Sequence, residues 1–239
     1  MEAPAERGED AWWGRVITDS RFPALWDCNY ARVEAREPSL AEVEQKLLPA
    51  IAKSGATHEH IVLPDPDAAA GILRELLDRG DRIGWDTWMR HEGEVPENAG
   101  EHTVEEIARF DEDFWAAQRR SFREFDVESE PAKSQLEMLE RELIGLGKRW
   151  FTMRIDGQFA GFGALQRFAD LAYIDNIITF PEARSQGIAT AILVRLIAES
   201  AGCSDVLLLT QSQTGPTRLY ERVGFAAGGR IASALRPLG

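Results

Sequence analysis

Residues 181–193 read PEARSQGIATAIL. A proline closes a strand-like run, a short polar stretch follows, and Gly187-Ile188-Ala189 opens an apolar helical pattern. Glycine weakens a helix by about 1 kcal/mol relative to alanine, so its place at a helix start needs a reason. One reason is close approach of a ligand. A helix N-terminus offers unpaired N–H donors and about half a positive charge, which suits a pyrophosphate. Minimal side chains at 187 and 189 let two phosphates reach those amides. The other reading is a plain tight strand-to-helix turn. Other chemistry finds less support. Gly145-Leu146-Gly147-Lys148 lacks P-loop spacing, and no G-x-G-x-x-G follows a strand. His58-Glu59-His60 has ligand types at i and i+2, but no carboxylate or Cys motif stands beside it, so no metal site is expected. No G-x-S-x-G and no Cys with a His partner is evident, which leaves covalent hydrolase chemistry unsupported.

The elements that must hold this loop are clear from Phe151 onward. FTMRIDGQFAGFGALQRF carries Asp156-Gly157, a hairpin signal, between two strand-like runs. LAYIDNIITF is a third strand, rich in β-branched and aromatic residues. Ile188, Ile192, Leu196 and Ile197 recur at helical spacing, with Ala189 and Leu193 widening the stripe. DVLLLT reads as a buried strand, PTRLYERV as a short helix ended by Gly224, and FAAGGRIASALRP as closing strand material. Upstream, residues 104–125 and 133–147 read as helices. Ile107, Phe110, Phe114, Trp115, Phe122 and Phe125 form an aromatic stripe there that serves as core or as the wall of an acceptor groove. Residues 91–102 are polar, hold Pro and Gly, and read as a linker.

Composition bounds the class. The 239 residues suit one large domain or two small ones. Hydrophobic residues at 44% and charged residues at 28% allow a proper core. With 40 acidic and 27 basic residues the formal net charge is −13, which argues against nucleic acid as a partner and is compatible with a cationic substrate such as an amine. The N-terminal stretch lacks the basic and apolar regions of a signal peptide. IATAILVRLIA is too short to span a membrane. Cys28 and Cys203 are the only cysteines, so a disulfide framework is excluded and a cytoplasmic location is expected.

Pro181-x-x-Arg184-x-x-Gly187-Ile188-Ala189, after a strand and opening a helix, resembles the acyl-CoA pyrophosphate signature of the GNAT superfamily of N-acetyltransferases. Leu219-Tyr220-Glu221-Arg222-Val223-Gly224-Phe225 is similar to the superfamily's second element, an L-Y-x-x-x-G-F run. Both occur in the expected order, and with the preceding hairpin they cover roughly residues 104–239. The resemblance implies an α/β (α+β) fold with a GNAT-like mixed, mostly antiparallel sheet flanked by helices. It implies acetyl-CoA as co-substrate and no metal. Arg184, Ser185, Gln186, Gly187, Ile188, Ala189 and Thr190 would hold the pyrophosphate. The backbone of Ile177, Ile178 and Thr179 would pair with the pantetheine arm like an added strand. Tyr220 would protonate the departing thiolate. Gln213 stands where the superfamily often has Asn, seven residues before the Tyr, and is carried as a cofactor contact with a longer arm. Asp175, on the third strand, is the candidate general base, directly or through water, beside the reading of a solvated carboxylate. Asp126 and Glu128 are weaker candidates for holding an ammonium.

The first half carries a degenerate echo. Glu34-Ala35-Arg36-Glu37-Pro38-Ser39-Leu40-Ala41 pairs without gaps with Glu182-Ala183-Arg184-Ser185-Gln186-Gly187-Ile188-Ala189. IVLPDPDAAAGILRELLDRG then parallels VLLLTQSQTGPTRLYERVG, each a strand, a turn and a short helix ended by glycine. This reads as a tandem repeat, with residues 1–95 a smaller, degenerate half-GNAT lobe and 102–239 the catalytic domain. The first copy is not expected to bind CoA: Pro38 has no N–H, Glu37 places negative charge where phosphate would sit, and Ser39 adds a Cβ that Gly187 lacks. Leu77 falls near the place of Tyr220.

The resemblance thus implies transfer of acetyl from acetyl-CoA to a primary amine by direct attack in a ternary complex. The acceptor is a small molecule or a protein amine, and a homodimer fits. The alternative is a non-catalytic acyl-CoA-binding or regulatory module.

Overall fold

The computed structural model describes residues 7–94, 103–125, 127–211 and 216–238. In the first half, β1 (Arg7–Ala11) and β2 (Gly14–Thr18) form a hairpin. A 3₁₀ turn (Trp26–Cys28) then leads into β3 (Tyr30–Val33). They are followed by α1 (Leu40–Ser54), β4 (His58–Leu63), α2 (Ala70–Arg79) and β5 (Arg82–His91). The second half opens with β6 (Glu105–Glu106), α3 (Glu112–Ser121), a 3₁₀ turn (Phe122–Phe125) and α4 (Glu130–Gly145). It continues with β7 (Arg149–Ile155), β8 (Gln158–Phe168) and β9 (Leu171–Thr179). A 3₁₀ turn (Pro181–Ala183) precedes α5 (Ile188–Glu199), β10 (Asp205–Gln211), α6 (Thr217–Arg222) and β11 (Phe225–Pro237).

The hairpin signal at Asp156-Gly157 holds: both residues take positive φ, 50° and 79°, between β7 and β8, the pattern of a primed two-residue turn. The helical reading of residues 104–125 needs correction at its start. Glu105 and Glu106 pair with Thr152 and Phe151 at the sheet edge, and the Ile107 N–H donates to the Trp150 carbonyl at 2.8 Å. The helix begins only where the Asp111 side chain accepts from the Phe114 N–H, a cap that outweighs the apolar periodicity upstream of it. The second helix runs over 130–145, started by a Ser129 cap and a proline in its first turn. Of the linker reading at 91–102, His91 belongs to β5 and the N–H groups of Glu92 and Gly93 both donate to the Gly224 carbonyl. Residues 95–102 lie outside the described ones.

One sheet of eleven strands results, in the order β1-β2-β3-β4-β11-β5-β10-β9-β8-β7-β6. It is mostly antiparallel; β3·β4 and β9·β10 are the parallel pairs. The sequence β3-α1-β4-α2-β5 recurs as β9-α5-β10-α6-β11, and the two units exchange their last strands. β5 pairs with β10 of the second unit, β11 pairs with β4 of the first, and β5 and β11 pair with each other. The cores follow the exchange. Ala232 and Ala234 of β11 are buried with Val43, Leu47 and Ile61 of the first unit. Met89 of β5 is buried with Ile192, Leu196 and Leu208 of the second. A buried ion network pins the crossing: Glu59 on β4, 1% exposed, accepts from Arg79 of α2 at 3.0 Å and from Arg236 of β11 at 2.6 Å.

The aromatic stripe belongs to a separate core. Phe114 and Trp115 of α3 pack against Trp150, Phe162 and Phe180, with edge-on contacts of Phe114 to Trp150 and Trp150 to Phe162, both at 5.2 Å between centroids. On the opposite face of β8, Gly161 and Gly163 let α5 sit close. A Cβ at 163 would lie 2.5 Å from Ile177 Cδ1 and 2.9 Å from Ile192 Cγ2.

Because each half lacks the strand that its middle strand requires, residues 7–94 and 103–239 expressed as separate chains should each fail to give a cooperative urea transition by far-UV circular dichroism. Mixed, they should recover one.

Candidate functional site

The parallel ladder between β9 and β10 runs from Leu171/Asp205 to Ile174/Leu208 and stops there, although both strands continue. Beyond that point β10 stays paired with β5 and β9 stays paired with β8, so the strands splay apart. Inside the splay β9 carries a bulge: Gly163 alone stands opposite Asn176 and Ile177, and Asn176 takes φ 52°. A bulge bends its strand and re-aims the backbone. Ile177, Ile178 and Thr179 therefore present one edge to open space, where their N–H and C=O groups need partners. Thr179 Oγ1 and, across the splay, Thr210 Oγ1 are buried with no hydrogen-bond partner among the described residues.

The loop after β9 is anchored by buried Ala183 and Ile188 and leaves Arg184, Ser185, Gln186 and Gly187 exposed. Ser185 and Gly187 take φ 63° and 78°. Gly187 is the N-cap of α5, in the left-handed region, with no side-chain cap and no acidic residue in the first turn. The corresponding loop of the first unit differs in the feature that matters for an anion. Glu37 repeats the left-handed turn at φ 62°, but Ser39 caps α1 in extended conformation and forms a reciprocal capping box with Glu42. That helix start satisfies its own amides and carries negative charge. The start of α5 does neither.

The splay and the loop open onto one cleft of about 1180 Å³. Asp175, Ile177, Ile178, Thr179, Arg184, Ala189 and Tyr220 all line it. Ser185, Gln186 and Gly187 lie exposed beside Arg184, Thr190 is half-buried, and Ile188 is packed in the core beneath, contributing main chain only. Gln213 and Asp126 lie outside the described residues. Glu128 is exposed and does not line the cleft. Arg184 donates from Nε to the Thr179 carbonyl at 3.3 Å and forms an ion pair with Glu124. Arg120 pairs with Glu182 at 2.5 Å and lies over the Phe180 ring, so α3 and its 3₁₀ extension are tied to the loop.

Tyr220 is 7% exposed, and its ring meets Phe225 edge-on. Burial, with the charge of Asp175 adding to it, pushes its phenol up to about 12, so the hydroxyl stays protonated at neutral pH. Asp175 is not a free carboxylate. Lys148 Nζ donates to its Oδ2 at 3.1 Å, and Asn176 donates from its backbone N–H at 2.8 Å and from Nδ2 at 3.2 Å. Lys148, 2% exposed at its side chain, also donates to Glu140 Oε1 at 2.6 Å. Burial alone would lower the Lys148 ammonium, but Asp175 and Glu140 overcome it and hold the group above its ordinary value.

Residues of the first half complete the walls. Asp27, Tyr30, His60 and Asp86 line the same cleft, and none of them was singled out from the sequence as a cleft residue. The loop that carries Asp27 is fixed because Phe22, Leu25 and Cys28 pack on Leu139 and Leu143 of α4. Arg21 also pairs with Glu142 at 2.8 Å. Burial pushes the Cys28 thiol up to about 12, with Asp27 adding to the effect, which makes it an inert packing group. Glu59 of the His-Glu-His run belongs to the ion network described above.

An α/β sheet that splays a parallel strand pair above an uncapped helix start defines a fold built to take an extended, anionic ligand. Residues 109–225 match the family model described as the acetyltransferase (GNAT) family. That segment is a GNAT acetyltransferase domain. Three solved structures share the fold over most of the chain. One is a functionally unknown conserved protein from Staphylococcus epidermidis ATCC 12228, 12% identical, with TM-score 0.79, covering 99% of this chain and 96% of that one. Another is a GCN5-related N-acetyltransferase from Kribbella flavida, 17% identical, with TM-score 0.65, covering 98% and 91%. A third is a tandem GNAT protein from the clavulanic acid biosynthesis pathway, 15% identical, with TM-score 0.57, covering 88% and 75%. No curated protein matches the chain. Among the described residues no helix is long and apolar enough to cross a membrane, and no group of His, Cys, Asp and Glu is placed to hold a metal.

Lys148→Met should destabilise the fold by about 3 kcal/mol, since it strands two carboxylates of which Glu140 is buried. Burial already raises the Glu140 carboxyl, against the opposing pull of Lys148, and without the cation it should rise further. A raised folded-state value gives stability present below the unfolded value of about 4.3 and lost as pH climbs. Urea titrations should therefore show the deficit growing from pH 5 to pH 8.

Proposed function

We propose that the chain is an N-acetyltransferase that moves an acetyl group from acetyl-CoA to a primary amine within a ternary complex. One observation carries this reading. The splayed edge of β9, the uncapped left-handed start of α5 and a buried, protonated tyrosine open onto a single cleft. The residues present fit an acyl-CoA. Main-chain N–H groups of Gly187, Ile188, Ala189 and Thr190, with Ser185 and Gln186, would hold the pyrophosphate, and Arg184 would exchange Glu124 for phosphate. The free edge at Ile177, Ile178 and Thr179 would pair with the amides of the pantetheine arm. Gln213 is proposed as a further contact. The bound thioester supplies an activated acyl group.

The chain's own residues do the rest. The cleft holds the amine beside the acyl carbon, and proximity of this kind contributes several kcal/mol to a barrier. A main-chain N–H of the bulged strand polarises the carbonyl. Asp175, ion-paired with Lys148, takes the ammonium proton through a water. The amine then attacks, the C–N bond forms and the C–S bond breaks. Tyr220 gives its proton to the departing sulfur and regains one from the new amide nitrogen. Residues 102–239 are proposed as the catalytic unit. Residues 1–95 are proposed as a lobe with no cofactor site, because the Ser39–Glu42 box fills the helix start that a phosphate would need.

Titration calorimetry with acetyl-CoA should give one site per chain, and Gly187→Glu should abolish binding. Gly187 has φ 78°, where a side chain is strained, so thermal melting of the variant must stay at the wild-type value for the loss to report charge rather than unfolding. Tyr220→Phe should keep acetyl-CoA affinity and lower kcat by about a hundredfold, the low end for a positioned acid. Unchanged kcat would remove Tyr220 from the chemistry.

A further inference from the structure

The cleft does not end at Tyr220. A second cavity of about 470 Å³ adjoins it, and Asp27, His60, Asp86, Gln211 and Ser233 line both. They form a neck between the two spaces. Asp27 comes from the 3₁₀ turn before β3, His60 from β4 and Asp86 from β5, so the acidic and imidazole groups of the neck all come from the first half.

These three side chains offer acceptors to the neck. Neither Asp27 nor Asp86 has a hydrogen-bond or ion-pair partner among the described residues. His60 is 6% exposed, and its Nδ1 lies 3.1 Å from the Trp26 carbonyl. A carbonyl only accepts, so Nδ1 carries the hydrogen and Nε2 keeps its lone pair. Burial holds the His60 imidazolium below its ordinary range, against the opposing pull of Asp27, so the ring is neutral. Its Nε2 has no partner among the described residues. Two carboxylates and one imidazole lone pair therefore meet in the neck, with Arg82 lining the smaller cavity beyond it. Burial raises the carboxyls of both Asp27 and Asp86; Asp175 adds to the first and Asp27 to the second, while His60 opposes both. Tyr173 marks how near this neck is to the reacting end. Its hydroxyl, raised by burial, feels Asp175, Asp27, Asp86 and Tyr220 together.

We infer that the neck binds the second ammonium of a small linear diamine whose first nitrogen is the one acetylated. A primary ammonium has three N–H donors and one positive charge, which matches the two carboxyl groups and the imidazole nitrogen of the neck. A lone amine would use either the neck or the reacting end; a diamine uses both. The smaller cavity, walled by Trp26 and Trp85, leaves room for a substituent beyond the second nitrogen. This assignment deepens the acetyl-transfer reading and rests on it.

The test compares putrescine with n-butylamine by titration calorimetry on the whole chain, with acetyl-CoA titrated separately. Putrescine should bind the wild type more tightly by about tenfold or more, the worth of a charge-assisted hydrogen bond. Asp86→Asn and Asp27→Asn should each remove most of that preference while leaving acetyl-CoA affinity and thermal melting unchanged. In turnover they should raise KM for putrescine and leave kcat near the wild-type value. Equal binding of the two amines, no binding of putrescine, or variants that keep the preference would overturn the assignment. Loss of the wider reading looks different: acetyl-CoA would fail to bind while the diamine preference at the neck survived.

Discussion

The antiparallel pairing of β5 with β11 is the contact on which the molecule turns. Each strand completes the other unit's sheet and then binds its counterpart, so hydrogen bonds run unbroken from β1 to β6. If each unit had kept its own last strand, the two sheets could have met at any angle through side chains. Here the relative position of the halves is set by main-chain geometry, with strand spacings of roughly 4.8 Å. That is why an aspartate on a first-half turn and a histidine on β4 can face Asp175 and Tyr220 across one cleft. The degenerate unit is thereby a wall of the site, and the Glu59 ion network holds the wall in register.

The two helix starts show what the proposed cofactor would demand of a loop. A Ser cap is worth about 1 kcal/mol to a helix, and α1 takes that gain through Ser39 and Glu42. With glycine at the same position, α5 forgoes it and keeps N–H groups and a positive dipole end unsatisfied. The apolar stripe of α5 supplies the missing stability, since Ile188, Ala191, Ile192, Leu193, Leu196 and Ile197 are all buried. A helix so firmly packed can leave its first turn to a ligand. The same trade explains the splay: β9 loses ladder bonds to β10 beyond Ile174 but is held by β8 on its other side.

Local structure was legible in the sequence, and partnership was not. The loop at 181–190, the Asp156-Gly157 hairpin and the glycine-ended helices all depend on residues a few positions apart. The strand exchange does not, because the apolar alternation of β5 and β11 is the same whichever β-strand lies beside them. β6 escaped notice for the opposite reason: two glutamates at a sheet edge carry no strand propensity, and backbone bonds to β7 alone define them. Lys148 reads as a surface lysine until α4 and β9 close over it. Asp27, His60 and Asp86 lie on three separate elements with no motif among them. One signal was present, since the offset that sets Glu34 against Glu182 also sets Asp27 against Asp175.

The electrostatics of the cleft also constrain how the proposed transfer can run. A phenol at about 12 facing an ordinary thiol near 8.5 would give up its proton to a free thiolate only uphill, by about 5 kcal/mol. Transfer after complete C–S cleavage is therefore the costly route. The proton must move while the bond to sulfur is still breaking, when nitrogen has gained positive charge and can refill the phenol in the same event. Raising the phenol further would only steepen this requirement. Asp175, whose charge adds to this rise, is itself ion-paired with Lys148. A buried lysine remote from every recognisable motif thus holds the carboxylate that the proposed acid feels.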